Sequence, residues 1–207
     1  DLSNMSVRFC THLDIDSYDT QKNELVRCMP QWLMCGSRYD VLRRMRRPVL
    51  GMTSPQMYVK VAGVWTAAHE ENNRFRSINC SHGPGNNSWG AIDACHASCL
   101  RRLVQQHHDV DIYKSEATWL PDLAFLMQHG IPVMYGEQRP LDMVSIGCGC
   151  LHWVYSRGTS INSAWNFGDF SREQIQVCCA LQLAFAWAAR RIRISFFALF
   201  AHSYPLS

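Results

Sequence analysis

The sequence predicts an α+β protein, mainly β, built around a small β-sandwich or barrel. Three observations carry that expectation. Short runs of β-branched and aromatic residues recur through the middle of the chain, bounded by turn residues. A few helical inserts interrupt them. The 207 residues, 47% hydrophobic, suffice for one domain with a real core.

Taken in order, residues 1–48 read as an N-terminal region, helical in part, that packs on the core. Asn23 to Leu33 is apolar with a break at Pro30. Tyr39 to Arg47 carries Arg43, Arg44, Arg46 and Arg47 and is stopped by Pro48. Such a run reads first as a solvated helix face, and only second as a contact for an acidic or nucleic-acid partner. Residues 49–180 hold the strands: Met57–Val61, Arg76–Cys80, Ile131–Tyr135, Asp142–Ile146, Leu151–Tyr155 and Ser163–Phe167. His82 to Asn87 reads as a turn from its glycines, proline and asparagines. Leu100–His108 and Leu120–His129 read as helices, the second capped by Gly130. Arg172–Arg191 reads as a last helix, and residues 181–207 as the end of that helix with an apolar tail.

Composition excludes several classes. A charged fraction of 18% is too low for a disordered chain, and a net charge of +3 is too small for a generic polyanion binder. Asp1 to Ser6 is polar with no apolar run behind it, so no secretion leader is expected. Ala180–Ala189 and Ile194–Ala201 are split by Arg190, Arg191 and Arg193, so neither reaches the roughly 20 residues of a bilayer span, and no membrane association is expected. The ten cysteines include the close pairs Cys148/Cys150 and Cys178/Cys179 but no CxxC. They read as reduced, small apolar residues of an intracellular protein, with no zinc module of the usual spacing.

The chemistry concentrates in Thr66-Ala-Ala-His-Glu-Glu-Asn72. On an extended strand His69 and Glu71, at i and i+2, point to one face. His152, downstream, offers a second imidazole. Two histidines and one carboxylate make a facial triad that leaves open positions on Fe(II) for a chelating co-substrate and O2. The triplet also arises by chance, with His69 a core histidine and Glu71 a surface acid. A 2-oxoglutarate enzyme must further anchor a distant carboxylate with a cation and hydroxyls. Lys60, Thr66, Ser77 and Asn79 are polar residues among apolar neighbours around the motif. The plainer alternatives are an edge-strand lysine for Lys60 and solvent-facing positions for Ser77 and Asn79.

Longer stretches then resemble a known family. Val49 to Val61, His69-Glu-Glu-Asn-Asn73, Phe75, Ser77-Ile-Asn79 and Gly83-Pro-Gly85 resemble the JmjC domain of the UTX/UTY branch of histone lysine demethylases. So do Asn23-Glu-Leu-Val26, Ile131-Pro-Val133, Gln138-Arg-Pro140, Asp142, His152-Trp-Val154, Asn162-Ser-Ala-Trp-Asn166 and Gly168. The resemblance implies a double-stranded β-helix (jelly roll, cupin-like) core with flanking helices. It implies Fe(II) on His69, Glu71 and His152, and 2-oxoglutarate on Lys60, Thr66, Ser77 and Asn79. It implies O2-dependent hydroxylation of methyl groups on tri- and dimethylated lysine at position 27 of histone H3, with formaldehyde released. The implied partners are the histone H3 tail and chromatin-associated complexes, without sequence-specific DNA binding, in the nucleus.

The chain departs from the family pattern at several places. Leu141 stands where Gly is usual, Ser145 where Trp is common, and Gly147-Cys-Gly-Cys150 replaces an Asn-Ala-Gly-Thr run. Ala67-Ala68 replaces Pro-Gly. No paired-cysteine spacing follows Cys179, where the family carries a zinc module. A JmjC-type hydroxylase of another protein side chain, or a non-catalytic chromatin interaction module, would use the same fold.

Overall fold

A computed structural model describes residues 9–14, 29–112, 119–169, 171–177 and 179. Its strands are β1 (Phe9–Asp14), β2 (Gln56–Lys60), β3 (Trp65–His69), β4 (Arg76–Pro84), β5 (Asn87–Ile92), β6 (Met134–Gln138), β7 (Met143–Ile146), β8 (Leu151–Ser156) and β9 (Ser160–Phe167). Two helices, α1 (Ala97–His108) and α2 (Leu123–Gln128), lie between β5 and β6. One sheet runs β1-β2-β9-β4-β7 and the other β3-β8-β5-β6, and every pairing is antiparallel. From β2 onward the chain passes repeatedly between the two sheets, which is the winding of a jelly roll. Among the described residues no helix is long and apolar enough to cross a membrane.

The largest apolar core lies outside the barrel. Leu151 and Trp153 of β8, with Ala68 and Ile92, pack against Leu100 and Val104 of α1 and Leu126 of α2. His152 and Val154 alternate with them and face the interior, where Val154 meets Trp89 and Ile146. An aspartate caps α2, and another caps the 3-10 turn Ala94–His96 that runs into α1. Asp93 accepts a hydrogen bond from the Cys95 N–H at the turn leading into α1, and Asp122 accepts one from Ala124 N–H at α2. The outer face of the first sheet is covered by Leu33, which packs on Ile78, Cys80 and Trp165. Asp40, fully buried, accepts from the N–H groups of Gly36, Leu42 and Gly168 and ties this segment to the end of β9.

Several elements differ from expectation. Tyr39–Arg47 is not an α-helix. A single 3-10 turn spans Val41–Arg44, and Met45 is extended. Buried Asp40, Val41 and Leu42 fix the backbone there, so tertiary anchoring overrides local preference. The segment 82–87 is mostly strand: β4 runs to Pro84 because Gly83 and Pro84 still pair with Ile161 and Ser160. β1 and β5 are additional strands. β5 lacks β-branched alternation and contains Gly90, which faces the Trp153 ring so closely that a Cβ would lie 2.2 Å from it. Trp65 is 46% exposed and packs on Tyr155, whereas Trp89, Trp119, Trp153 and Trp165 are buried. The eight described cysteines are free thiols. Of the expected last helix, 172–177 is helical, and residues 181–207 lie outside the described residues.

Candidate functional site

β3 and β8 are neighbours in the second sheet, and His69 pairs directly with His152. Their rings lie 4.3 Å apart between centroids. Glu71 follows the end of β3 in extended conformation, φ −65 and ψ 153, so it keeps the strand's facing without belonging to the ladder. Its Oε1 is 3.5 Å from His152 Nε2. Its Oε2 accepts from Asn166 Nδ2 at 2.8 Å, across from β9 of the other sheet. Glu70 is turned aside by an ion pair with Arg74 at 2.8 Å, which distinguishes the two adjacent glutamates. One donor atom from each of His69, Glu71 and His152 lies within 4.8 Å of the others. Bonds of about 2.1 Å at right angles put neighbouring donors about 3 Å apart, so small rotations bring this set around one ion.

Both imidazoles are oriented the same way. His69 Nδ1 is 2.9 Å from the Ala67 carbonyl oxygen, and His152 Nδ1 is 3.3 Å from that of Cys150. A proton on each Nδ1 satisfies these contacts and leaves both Nε2 lone pairs for a cation. Burial pushes the His69 imidazole down to about 4, which keeps it neutral. Burial raises the Glu71 carboxyl, but the hydrogen bond and charge of His152, with His69 and Asn166, outweigh it and bring it to about 2. The site therefore offers a neutral His69 imidazole and an ionised Glu71 carboxylate, with the His152 ring facing both. Trp89 stacks on His152 at 6.0 Å and walls the interior side.

The interior between the sheets is polar. Lys60, only 6% exposed, donates from Nζ to Thr66 Oγ1 at 2.7 Å and lies 5.0 Å from the centre of the Phe9 ring. Burial lowers its pKa to about 8. Among the described residues no carboxylate pairs with it, so this is a desolvated cation without a counterion. The edge-strand alternative for Lys60 is thereby excluded. Ser77 is buried and pairs with Asn166 of β9. Asn79 lies two residues on; its Oδ1 accepts from Asn162 Nδ2 at 2.8 Å and from Gln138 Nε2 at 3.2 Å. Trp89 Nε1 donates to Gln138 Oε1 at 3.0 Å.

Asn87, Gln138, Asn162 and Asn166 belong to this interior but were not among the expected site residues. A signal existed in Ser160-Ile-Asn-Ser-Ala-Trp-Asn166, where polar residues at 160, 162 and 166 share one strand face. Gln138 and Asn87 carry no comparable pattern. A buried cation and a pre-formed N/N/O donor set fit a ferrous ion together with an acid bearing a distant second carboxylate.

The JmjC family model, described as "JmjC domain, hydroxylase", matches residues 56–167, from β2 to the end of β9. The chain belongs to the JmjC domain family. This JmjC domain is 33% identical over 174 residues to Lysine-specific demethylase 6B of Homo sapiens, covering 83% of this chain and 10% of that protein. It is 33% identical over 165 residues to Lysine-specific demethylase jmjd-3.1 of Caenorhabditis elegans, covering 79% of this chain and 15% of that protein. A more distant relative is Lysine-specific demethylase ELF6 of Arabidopsis thaliana, 26% identical over 137 residues, 62% of this chain and 10% of that protein. The chain thus spans a small part of the length of these curated relatives. Their resemblance agrees with the cupin-like jelly roll seen in this JmjC domain.

Proposed function

We propose that residues 49–180 form the catalytic core of a histone lysine demethylase that uses Fe(II), 2-oxoglutarate and O2. Its substrate is tri- or dimethylated lysine at position 27 of histone H3. The described residues of the N-terminal region, 9–14 and 29–48, pack on that core. The observation that carries the reading is the convergence of His69, Glu71 and His152 near a buried lysine that meets no acid among the described residues.

When bound, iron with 2-oxoglutarate and O2 supplies oxidation of an N-methyl C–H bond, with decarboxylation of the keto acid to succinate. Nε2 of His69 and of His152 and the Glu71 carboxylate hold the cation, and Asn166 fixes the carboxylate in place. Lys60 and Thr66 take the far carboxylate of 2-oxoglutarate by charge-assisted hydrogen bonds, aided by Ser77 and Asn79. Trp89, Ile146 and Val154 supply an apolar wall to the interior. The hydroxylated methyl group leaves as formaldehyde, which needs no lone pair on the lysine nitrogen. The work is done in the nucleus, within chromatin-associated complexes.

The test is mass spectrometry of a panel of methylated histone peptides incubated with the chain, Fe(II) and 2-oxoglutarate. Loss of methyl groups with formaldehyde release, abolished in His69→Ala and Glu71→Ala, is the expected result. Equal turnover in both variants contradicts the proposal. A stable added oxygen identifies a protein hydroxylase instead, a reading favoured by the family description. Metal binding without turnover of any peptide identifies an interaction module.

A further inference from the structure

Four arginines, Arg43, Arg44, Arg46 and Arg47, occupy five consecutive positions around Met45, and all four are exposed. The residues between and before them are not. Val41 and Leu42 are buried and Met45 packs with them on Met52 and Phe75. The apolar side chains are drawn inward, so the backbone holds the guanidinium groups outward together. The segment is pinned at a defined place: Val41 N–H donates to the Gly168 carbonyl at 2.7 Å, and Asp40 accepts from Gly168 N–H at 3.1 Å. Gly168 is two residues beyond Asn166, which holds Glu71. The basic segment therefore stands at the end of β9 that carries the candidate metal site.

Among the described residues these four arginines meet no counter-charge, unlike Arg74, Arg76 and Arg101. Arg74 pairs with Glu70, Arg76 with Asp169 and Glu173, and Arg101 with Asp111. Among the described residues no carboxylate pairs with Arg43, Arg44, Arg46 or Arg47. Four like charges within five residues of an anchored backbone repel one another, and a bound polyanion relieves that repulsion. The dimensions select its kind. At most about 14 Å of backbone separates the first arginine from the last. One strand of B-form DNA presents a phosphate about every 3.4 Å of helix axis, about four over that length. A histone tail is itself basic and is repelled.

We infer that Arg43, Arg44, Arg46 and Arg47 form a docking surface for the phosphate backbone of duplex DNA, without sequence preference, beside the end of β9. The inference rests on the proposed histone-tail substrate only for its purpose: a tail presented on a nucleosome brings DNA to this surface. The DNA contact itself is independent of turnover.

The test measures binding of the full chain to a random duplex of about 20 base pairs as salt is varied. Each phosphate contact contributes about −0.9 to the slope of log K against log salt. Four contacts give about −3.6, or about a 150-fold loss of affinity between about 50 and about 200 mM salt. The quadruple Arg→Gln variant is expected to lose most of that slope, and the quadruple Arg→Lys variant to keep most of it. Turnover of free methylated peptide should be unchanged in Arg→Gln, while turnover of methylated nucleosomes falls. Wild-type slope and affinity in the Arg→Gln variant overturn the inference. So does tighter binding to a polyglutamate peptide or to anionic phosphatidylserine vesicles than to the duplex. If no peptide is turned over at all, the demethylase reading fails and the duplex titration still decides the DNA contact.

Discussion

Lys60 offers a sharp test because its role in binding conflicts with its effect on stability. The ammonium is buried at 6% exposure and donates a hydrogen bond to Thr66. Its pKa falls from 10.5 in an open chain to about 8 in the fold, a difference of about 3 kcal/mol of destabilisation at neutral pH. The sign follows from proton counting. Between about pH 8 and pH 10.5 the unfolded chain holds a proton on Lys60 that the folded chain has lost, so stability rises with pH across that window and is lowest below it. Lys60→Met keeps the length of the side chain and removes the charge. It also leaves Thr66 Oγ1 without its donor, which costs about 1 kcal/mol. The net expectation at pH 7 is a gain of about 2 kcal/mol, or about 4–8 °C in Tm. Urea denaturation of both proteins from about pH 7 to about pH 10 measures the difference, which should shrink as pH rises. The same variant should lose 2-oxoglutarate binding by calorimetry. A Lys60→Met protein less stable than wild type at pH 7, or a pH-independent difference, refutes the buried-cation argument.

Other expectations follow from single contacts. Leu141, 89% exposed, has φ 73 in the turn Arg139-Pro-Leu-Asp142, a conformation that favours glycine. Leu141→Gly relieves about 1–2 kcal/mol of strain and returns part of it as unfolded-chain entropy. A net stabilisation of about 0.5–1 kcal/mol in urea is expected, and a destabilisation contradicts it. Gly90→Ala drives a Cβ to 2.2 Å from the Trp153 ring, so it should destabilise by about 1–3 kcal/mol; an unchanged denaturation midpoint would show that the ring moves freely. Asn166→Ala frees Glu71 Oε2, and a 10–100-fold weaker affinity for a divalent cation is expected by calorimetry. Unaltered affinity would mean that Asn166 does not position the carboxylate.

Much of the site was legible because strand geometry is simple. A His and a Glu two residues apart on extended chain share a face, and that held even though β3 ends at His69 and Glu71 sits beyond it. Lys60, Thr66, Ser77 and Asn79 were recognisable as polar residues among apolar ones. The burial of Lys60 was not, because exposure depends on Phe9 and on the opposite sheet, far away in sequence. The Asn79–Asn162–Gln138 network was hidden for the same reason: its members come from three strands, and only the register brings them together. The basic run from 43 to 47 was read by charge alone as a helix face. Its actual shape follows from Asp40 and Leu42, whose burial no local pattern announces. Edge strands β1 and β6 were missed or displaced, since exposed strands such as β6 lack the alternation that a buried face imposes.

The central claim is that His69, Glu71 and His152 hold one divalent cation. Anaerobic calorimetric titration of the chain with Fe(II) tests it most directly, repeated on His69→Ala, Glu71→Ala and His152→Ala. One ion bound per chain, with binding lost or weakened by at least an order of magnitude in each variant, is the predicted result. Undiminished Fe(II) affinity in all three variants would contradict it.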